Sequence, residues 1–136
     1  MAIFETLGKY RNTGLLILRL GIGTMMIIHG FPKIAGGPDM WQGIGGNMKL
    51  IGIDFLPVMW GFMAAATETF GGFLLILGLF FRPVNMLLVF TMLIATLVHF
   101  SDPKQGLNEA SHAIELAIVF FSLIFIGPGK YSIDKK

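Results

Sequence analysis

The sequence predicts an all-α integral membrane protein in which four transmembrane helices form one bundle. Three observations predict this class. About 54% of the 136 residues are hydrophobic and only 13% are charged, whereas soluble domains carry roughly 25% charged residues. A chain this short cannot bury so much apolar surface in water, because small domains leave a large share of their area exposed. Four apolar stretches, separated by breaks that contain proline, are each long enough to cross a bilayer.

The four stretches are defined by length. A membrane-spanning helix needs roughly 20 mainly apolar residues, or about 30 Å at ~1.5 Å per residue. Four windows meet this requirement, at about residues 13–31, 57–80, 83–100 and 110–127. The breaks contain prolines, which disfavour the continuation of a helix: Pro32, Pro83, Pro103 and Pro128. We therefore expect one domain over residues 1–136, with a tight hairpin between the second and third helices at Arg82.

The segment between the first two windows, residues 32–56, is the exception to short connections. It is too long for a tight turn, and its many glycines argue against a stable helix. It also carries Trp41 and several aliphatic side chains. This composition predicts an outer interfacial loop, either an apolar flap lying on the membrane surface or an ordinary interfacial connection.

The positions of Lys and Arg predict the orientation. Six lie on the side of the termini: Lys9, Arg11, Arg82, Lys130, Lys135 and Lys136. Three lie on the other side: Lys33, Lys49 and Lys104. Cytoplasmic segments carry the excess of basic residues, so both termini are predicted to be cytoplasmic.

Charge and cysteine content exclude several classes of function. The net charge of +2 is small and dispersed, whereas nucleic-acid-binding proteins mass Lys and Arg on one face, so no nucleic-acid partner is expected. The chain has no cysteine. It therefore has no disulfide relay, thiolate nucleophile, iron–sulfur cluster or thiolate zinc site of its own. Any redox chemistry would require a bound cofactor or a partner.

The ionisable side chains inside the predicted helices are the candidate functional residues. Such a group costs at least ~2.5–3.5 kcal/mol at the bilayer centre, so it normally faces the bundle interior and has a partner. Six residues qualify as a candidate ligand or proton site: Arg19, His29, Glu68, His99, His112 and Glu115.

Glu68 lies near the middle of the second window, where the free-energy cost of an ionisable side chain in the membrane is highest. Small residues at helical spacing surround it, which predicts a closely packed interior face. Arg19 is the only cation expected to reach Glu68, although the two side chains lean away from each other along antiparallel helices. The alternatives are a direct pair, or an Arg19 that extends to the cytoplasmic interface with a protonated, hydrogen-bonded Glu68.

The three histidines are predicted to converge, because alternating helix direction puts His29, His99 and His112 near the outer ends of their helices. Glu115 follows His112 by three residues and shares its face. This outer cluster fits a hydrogen-bond network that fastens helix ends, or a pocket for a quinone-like headgroup. Imidazole also suits transition metals, but no HExxH-type spacing supports a metal or haem site, and we expect none.

Several segments in order along the chain resemble the DoxX family of small bacterial membrane proteins. In the first helix these are residues 18–20 (LRL), then His29, Gly30 and Lys33. In the second helix and its turn they are residues 68–72 (ETFGG) and 77–82 (LGLFFR), and near the C-terminus residues 127–134 (GPGKYSID). The resemblance extends over essentially the whole chain.

The DoxX resemblance implies a bacterial inner-membrane location and a respiratory or redox-associated role, because such proteins are associated with quinol oxidase and thiosulfate-to-quinone oxidoreductase subunits. The first reading is a membrane subunit of a quinone-linked oxidoreductase complex, in which Arg19, Glu68 and the outer histidines bind or move protons. A non-catalytic assembly or anchoring subunit and a small-molecule or proton transporter are the alternatives. All three imply the lipid bilayer as surroundings, and the first two imply a protein partner or a homo-oligomer. No catalytic residue is assigned.

Overall fold

The structure is a computed structural model that describes residues 3–135. Within these residues it contains five α-helices and no strand: α1 (Arg11–Ala35), α2 (Gly37–Gly45), α3 (Pro57–Leu77), α4 (Phe81–Ser101) and α5 (Leu107–Ile126). Short 3-10 helices precede α1 (Glu5–Tyr10) and follow α2 (Gly46–Ile51). Helices α1, α3, α4 and α5 are long and apolar enough to cross a membrane. The prediction of an all-α protein with four transmembrane helices is confirmed.

The four long helices alternate in direction and form two packed pairs. Helix α1 packs on α3, α4 packs on α5, and contacts between α3 and α4 join the pairs, while α1 and α5 have no close backbone contact within residues 3–135. Side chains from all four helices fill the centre, among them Met26, Leu75, Leu88 and Phe120. We call the end with the chain termini and the α3–α4 turn the terminal side, and the opposite end the α2 side.

Glycines bring α1 and α3 close together. A Cβ atom at Gly23 would lie 2.6 Å from the carbonyl oxygen of Gly72. About two turns further along α1, a Cβ atom at Gly30 would lie 2.6 Å from the backbone nitrogen of Thr69. Small residues allow such close approach of membrane helices. The face around Glu68 is therefore tightly packed, and α1 is the helix that covers it.

Helix α1 continues past the proline at which the sequence predicted its end. Pro32 lies inside the last turn, and the backbone N–H of Gly36 donates to the Pro32 carbonyl over 2.9 Å. The prediction of an end at residue 31 is wrong. Proline costs the helix only one hydrogen-bond donor, and the extra turn allows Lys33 to make contacts with α3 and α2 that are described below.

The turn between α3 and α4 lies earlier than the predicted hairpin at Arg82. Helix α3 ends at Leu77, and Gly78 has the left-handed conformation (φ 67°) that commonly terminates a helix. Helix α4 begins at Phe81, so Arg82 and Pro83 belong to its first turn. Proline is tolerated there because the backbone N–H groups of a first turn have no partner within the helix.

Residues 37–51, between α1 and α3, are helical, so the expectation that the glycines of this segment prevent a stable helix is wrong. A Cβ atom at Gly45 would overlap the carbonyl oxygen of Pro57, and one at Gly61 would overlap that of Trp41. Glycine is thus required for the close packing of α2 on α3. The tertiary contact offsets the low helix propensity of glycine, which costs about 1 kcal/mol per residue relative to alanine.

This packing predicts different effects on stability when alanine replaces two glycines of α2. Gly45→Ala should lower thermal stability in detergent and shift Trp41 fluorescence to longer wavelength, because the new methyl group must push α2 away from Pro57. Gly43→Ala is the matched control, since no atom lies within 4 Å of the position of its Cβ, and it should be neutral or slightly stabilising. Equal stability of the two variants would contradict the docking of α2 described here.

Candidate functional site

An ion pair between Lys33 and Glu68 lies inside the bundle, in the half toward the α2 side. The Nζ atom of Lys33 lies 3.0 Å from Oε1 and 2.9 Å from Oε2 of Glu68. The Glu68 side chain is only 6% exposed, whereas that of Lys33 is 34% exposed. Lys33 belongs to the last turn of α1, and its long aliphatic stem carries the ammonium to the carboxylate near the middle of α3.

Lys33 is the functional residue that sequence reasoning missed. A helix end at residue 31 placed Lys33 in a loop, and Arg19 was then the only cation expected to reach Glu68. One signal could have revealed it: Lys33 follows His29 by four residues, which puts the two on one helical face if the helix continues. The indole N–H of Trp41 donates to the Lys33 carbonyl over 2.9 Å, so α2 holds this last turn in place.

Arg19 has a different set of partners at the other end of α3. Its Nε atom donates to the Leu75 carbonyl (2.9 Å) and Nη2 donates to the Ile76 carbonyl (2.7 Å). Nη1 donates to the carbonyls of Pro128 (3.1 Å) and Tyr131 (2.8 Å). Arg19 therefore satisfies the free carbonyls at the C-terminal end of α3 and fastens the tail. It does not pair with Glu68, and its guanidinium points toward the terminal side, where it is enclosed by these carbonyls.

These partners predict which residues are energetically coupled. A cycle of Lys33→Met, Glu68→Leu and the double variant should give a double variant more stable than the sum of the singles predicts, because removal of Lys33 alone leaves the Glu68 carboxylate, which is only 6% exposed, without its partner. The parallel cycle with Arg19→Leu should be additive within about 0.5 kcal/mol, since Arg19 binds about two turns away along α3. Unfolding in detergent measures both, and the reverse result would refute the assignment of partners.

The three histidines lie around one cavity, which we call the histidine cavity. It has a volume of about 160 Å³ and is lined by His29 from α1, His99 from α4 and His112 from α5, together with Lys33 and Glu68. The rings of His29 and His112 are tilted with centroids 5.4 Å apart. The side chain of His99 is hydrogen-bonded through Nδ1 to Gln105. Three separate helices thus bring their imidazoles to the edge of the Lys33–Glu68 pair.

Glu115 is not part of this arrangement. It lies on an exposed face of α5 and is absent from the lining of the histidine cavity. It makes no hydrogen bond or ion pair with any residue from 3 to 135. The spacing of three residues from His112 places both on one side of α5, but His112 faces the cavity edge while Glu115 faces outward.

A second cavity, which we call the lateral cavity, lies between the 3-10 helix after α2, α3 and α4. It has a volume of about 310 Å³ and shares Lys33, Glu68 and His99 with the histidine cavity. Its walls are mostly apolar. Exposed side chains also line it, which shows that it opens to the lipid-facing surface between α3 and α4: Met63, Leu87 and Phe90.

The ionisable groups of the lateral cavity are Lys33, Glu68 and His99. Trp60 also lines it, but its indole Nε1 atom is buried and makes no hydrogen bond to any described residue. The cavity thus combines apolar walls with an ammonium, a carboxylate and an imidazole. Its volume lies at the lower end of the ~300–1,000 Å³ typical of ligand pockets, and a few polar groups in an apolar pocket are the usual pattern of such sites.

No group of three His, Asp or Glu side chains within residues 3–135 is placed to hold a metal ion. The imidazoles are instead spread around the cavity edge, with the ammonium of Lys33 among them. The groups present are suited to donating and accepting hydrogen bonds.

The fold and the site define a small four-span membrane protein with an ion pair that lines two cavities. The chain belongs to the DoxX family, whose model matches residues 14–100. The matched region contains Arg19, Lys33, Glu68 and His99, whereas His112 and Glu115 lie beyond it.

Three relatives are similar over most of their length. "Inner membrane protein YphA" of Escherichia coli (strain K12) is 29% identical, with 95% of this chain and 94% of that protein covered. "Putative oxidoreductase CatD" of Bacillus subtilis (strain 168) is 29% identical, with 86% and 83% covered. An "Uncharacterized protein" of Haemophilus influenzae (strain ATCC 51907 / DSM 11121 / KW20 / Rd) is 31% identical, with 97% and 96% covered. No solved structure gives a significant match.

Proposed function

We propose that this chain is the membrane component of a quinone-linked oxidoreductase and that the lateral cavity binds the quinone headgroup. One observation carries the proposal: an apolar cavity opens to the lipid and ends at Lys33, Glu68 and His99. Quinones are dissolved in the bilayer, so a site for them needs an opening of this kind. The name of the relative "Putative oxidoreductase CatD" supports the same class of function.

The polar groups of the lateral cavity suit the two carbonyl oxygens of a quinone. The Lys33 ammonium can donate a hydrogen bond from its lining, and the His99 imidazole can donate or accept one. The ring of the quinone would lie against the apolar side chains of Phe90 and Ile94, and its isoprenoid tail would leave between α3 and α4. Each group of the ligand then has a chemically matched surface.

The histidine cavity would supply protons to the bound quinone. Reduction of a quinone to a quinol takes up two electrons and two protons. The electrons would come from a redox-active protein partner, because a chain without cysteine has no thiol redox centre of its own. The protons would enter from the α2 side past His29 and His112, and His99 and Glu68 border both cavities. Imidazole is suited to this transfer because one ring nitrogen can accept a proton while the other releases one.

A cavity-filling pair of variants tests quinone binding. A short-chain quinone should raise the thermal stability of the wild type in detergent, since a ligand at 100 times its Kd adds about 2.7 kcal/mol. Ala64→Leu, which fills the lateral cavity, should abolish the increase, and His99→Ala should weaken it. Ala66→Leu is the matched control on α3, because Ala66 lines neither cavity. Absence of any increase in the wild type at all soluble concentrations would exclude quinone binding.

We also propose that the protein lies in the bacterial inner membrane with both termini in the cytoplasm. The excess of Lys and Arg on the terminal side supports this orientation, and the similarity to "Inner membrane protein YphA" supports the location.

Single cysteines test the orientation cleanly because the chain has none of its own. In intact cells an impermeant thiol reagent should label Lys104→Cys and leave Lys9→Cys unlabelled until the membrane is permeabilised. Both positions are exposed lysines, so the two substitutions remove one charge from each side and preserve the asymmetry. Labelling of Lys9→Cys alone would show that the orientation is the reverse of the one proposed.

A second candidate function, a subunit that assembles with another membrane protein, is favoured by Glu115. This carboxylate lies on an exposed face near the middle of α5, where contact with lipid costs at least ~2.5 kcal/mol. The membrane-embedded cations Arg19 and Lys33 already have partners. A helix of a partner protein, or of a second copy, that offers Glu115 a hydrogen-bond donor would remove this cost.

The assembly function can be separated from quinone binding. Glu115→Gln should weaken association with the copurifying partner or second copy in mild detergent, and should leave the quinone-dependent increase in stability unchanged. Glu109→Gln is the matched control on the same helix, because glutamine can retain the capping interaction of Glu109 with the Gly106 backbone. Assembly that is equally insensitive to both substitutions would show that Glu115 is not at the interface.

A further inference from the structure

A third cavity lies at the opposite end of the molecule from the two described above. It is wide and open, about 1060 Å³, and lies on the terminal side between the start of α1 and the end of α5 with the following tail. Arg11, Lys130 and Lys135 line it, and no acidic residue does. None of these three cations takes part in an ion pair within the described residues. The charged side chains that line the cavity are therefore all positive.

The part of the tail that carries Lys130 is held rigidly against α1. The backbone N–H of Lys130 donates to Oδ1 of Asn12 over 2.9 Å, and Arg19 binds the carbonyls of Pro128 and Tyr131. Gly129 has a left-handed conformation (φ 87°), and a Cβ atom there would lie 3.1 Å from a methyl group of Leu15. The backbone on both sides of Lys130 is thus fixed before any ligand binds.

The end of the tail is held as firmly, against the α3–α4 turn. The N–H groups of Ile133 and Asp134 donate to the carbonyls of Leu77 and Gly78 over 3.1 and 2.9 Å. The Asp134 carboxylate accepts hydrogen bonds from the backbone N–H groups of Phe80 and Phe81. This carboxylate is therefore bound at the start of α4 and forms no ion pair with the neighbouring Lys135.

Apolar side chains continue the cavity toward the membrane interior. Leu15 and Leu18 of α1 and Phe125 and Ile126 of α5 line it together with the cations. Because α1 and α5 have no close backbone contact, a seam remains between them below the basic residues. A ligand that fits this surface has an anionic, phosphate-like head and an apolar chain of some length.

We propose that this cavity binds an anionic phospholipid, with the phosphate on Arg11, Lys130 and Lys135 and an acyl chain in the seam between α1 and α5. Basic pockets between transmembrane helices on the cytoplasmic side are suited to such headgroups. Inorganic phosphate shares the charge of the headgroup but cannot use the apolar seam. The site is separate from the lateral cavity, so it does not depend on the proposed quinone function.

Binding of phosphatidylglycerol to delipidated protein in detergent tests the proposal, with native mass spectrometry and thermal stability as readouts. The wild type should bind phosphatidylglycerol at least tenfold more tightly than phosphatidylcholine. Arg11→Gln with Lys130→Gln should weaken phosphatidylglycerol binding about tenfold or more, because each basic group near the headgroup contributes to the attraction. The bond from Asn12 survives, since it uses the backbone N–H of residue 130.

The matched control removes two exposed lysines from the α2 side, Lys49→Gln with Lys104→Gln, and should change phosphatidylglycerol binding by less than twofold. Inorganic phosphate and glycerol phosphate should not displace the lipid. Equal binding of the two phospholipids, equal loss in the two double variants, or full displacement by inorganic phosphate would each overturn the proposal. Circular dichroism and unfolding temperature without added lipid confirm that both double variants fold.

Discussion

The ion pair between Lys33 and Glu68 is the interaction on which the α2 half of the molecule depends. A carboxylate near the middle of a membrane helix must be paired or protonated, because lipid offers it no solvation. Glu68 is reached by Lys33, the residue directly after Pro32, which requires α1 to continue through the proline. Gly30 allows α1 to approach α3 at this point, and Trp41 holds the last turn through the Lys33 carbonyl. Helix α2 is thus part of the same arrangement.

The terminal side satisfies its polar groups in a different way. Arg19 binds four backbone carbonyls rather than a carboxylate, so its positive charge stabilises the end of α3 and the tail together. All five of its guanidinium donors lie in a nearly closed environment, which suits a structural role better than exchange of protons. The two intramembrane cations therefore make different contacts. Arg19 binds carbonyls of α3 and the tail on the terminal side, and Lys33 lines both cavities of the α2 half.

The arrangement of helices as two pairs explains where the cavities occur. Glycines bring α1 and α3 into close contact, and α4 packs on α5, but the two pairs meet less closely. The lateral cavity opens where α3 and α4 diverge on the α2 half, and the basic cavity opens where α1 and α5 remain apart on the terminal side. Exposed apolar side chains line the first opening, and apolar side chains lie beside the basic residues of the second.

The sequence by itself determined the class of fold, the four spans and the three histidines as a candidate group, because lipid imposes a minimum apolar length and a high cost on each embedded charge. It did not determine the end of α1, the helical state of residues 37–45 or the partner of Glu68. Proline and glycine lower helix propensity locally, and local rules predicted a break and a loop. Only the tertiary structure decided otherwise, because the contacts of Lys33 with Glu68 and of Gly45 with Pro57 join residues distant in the chain and outweigh those local preferences.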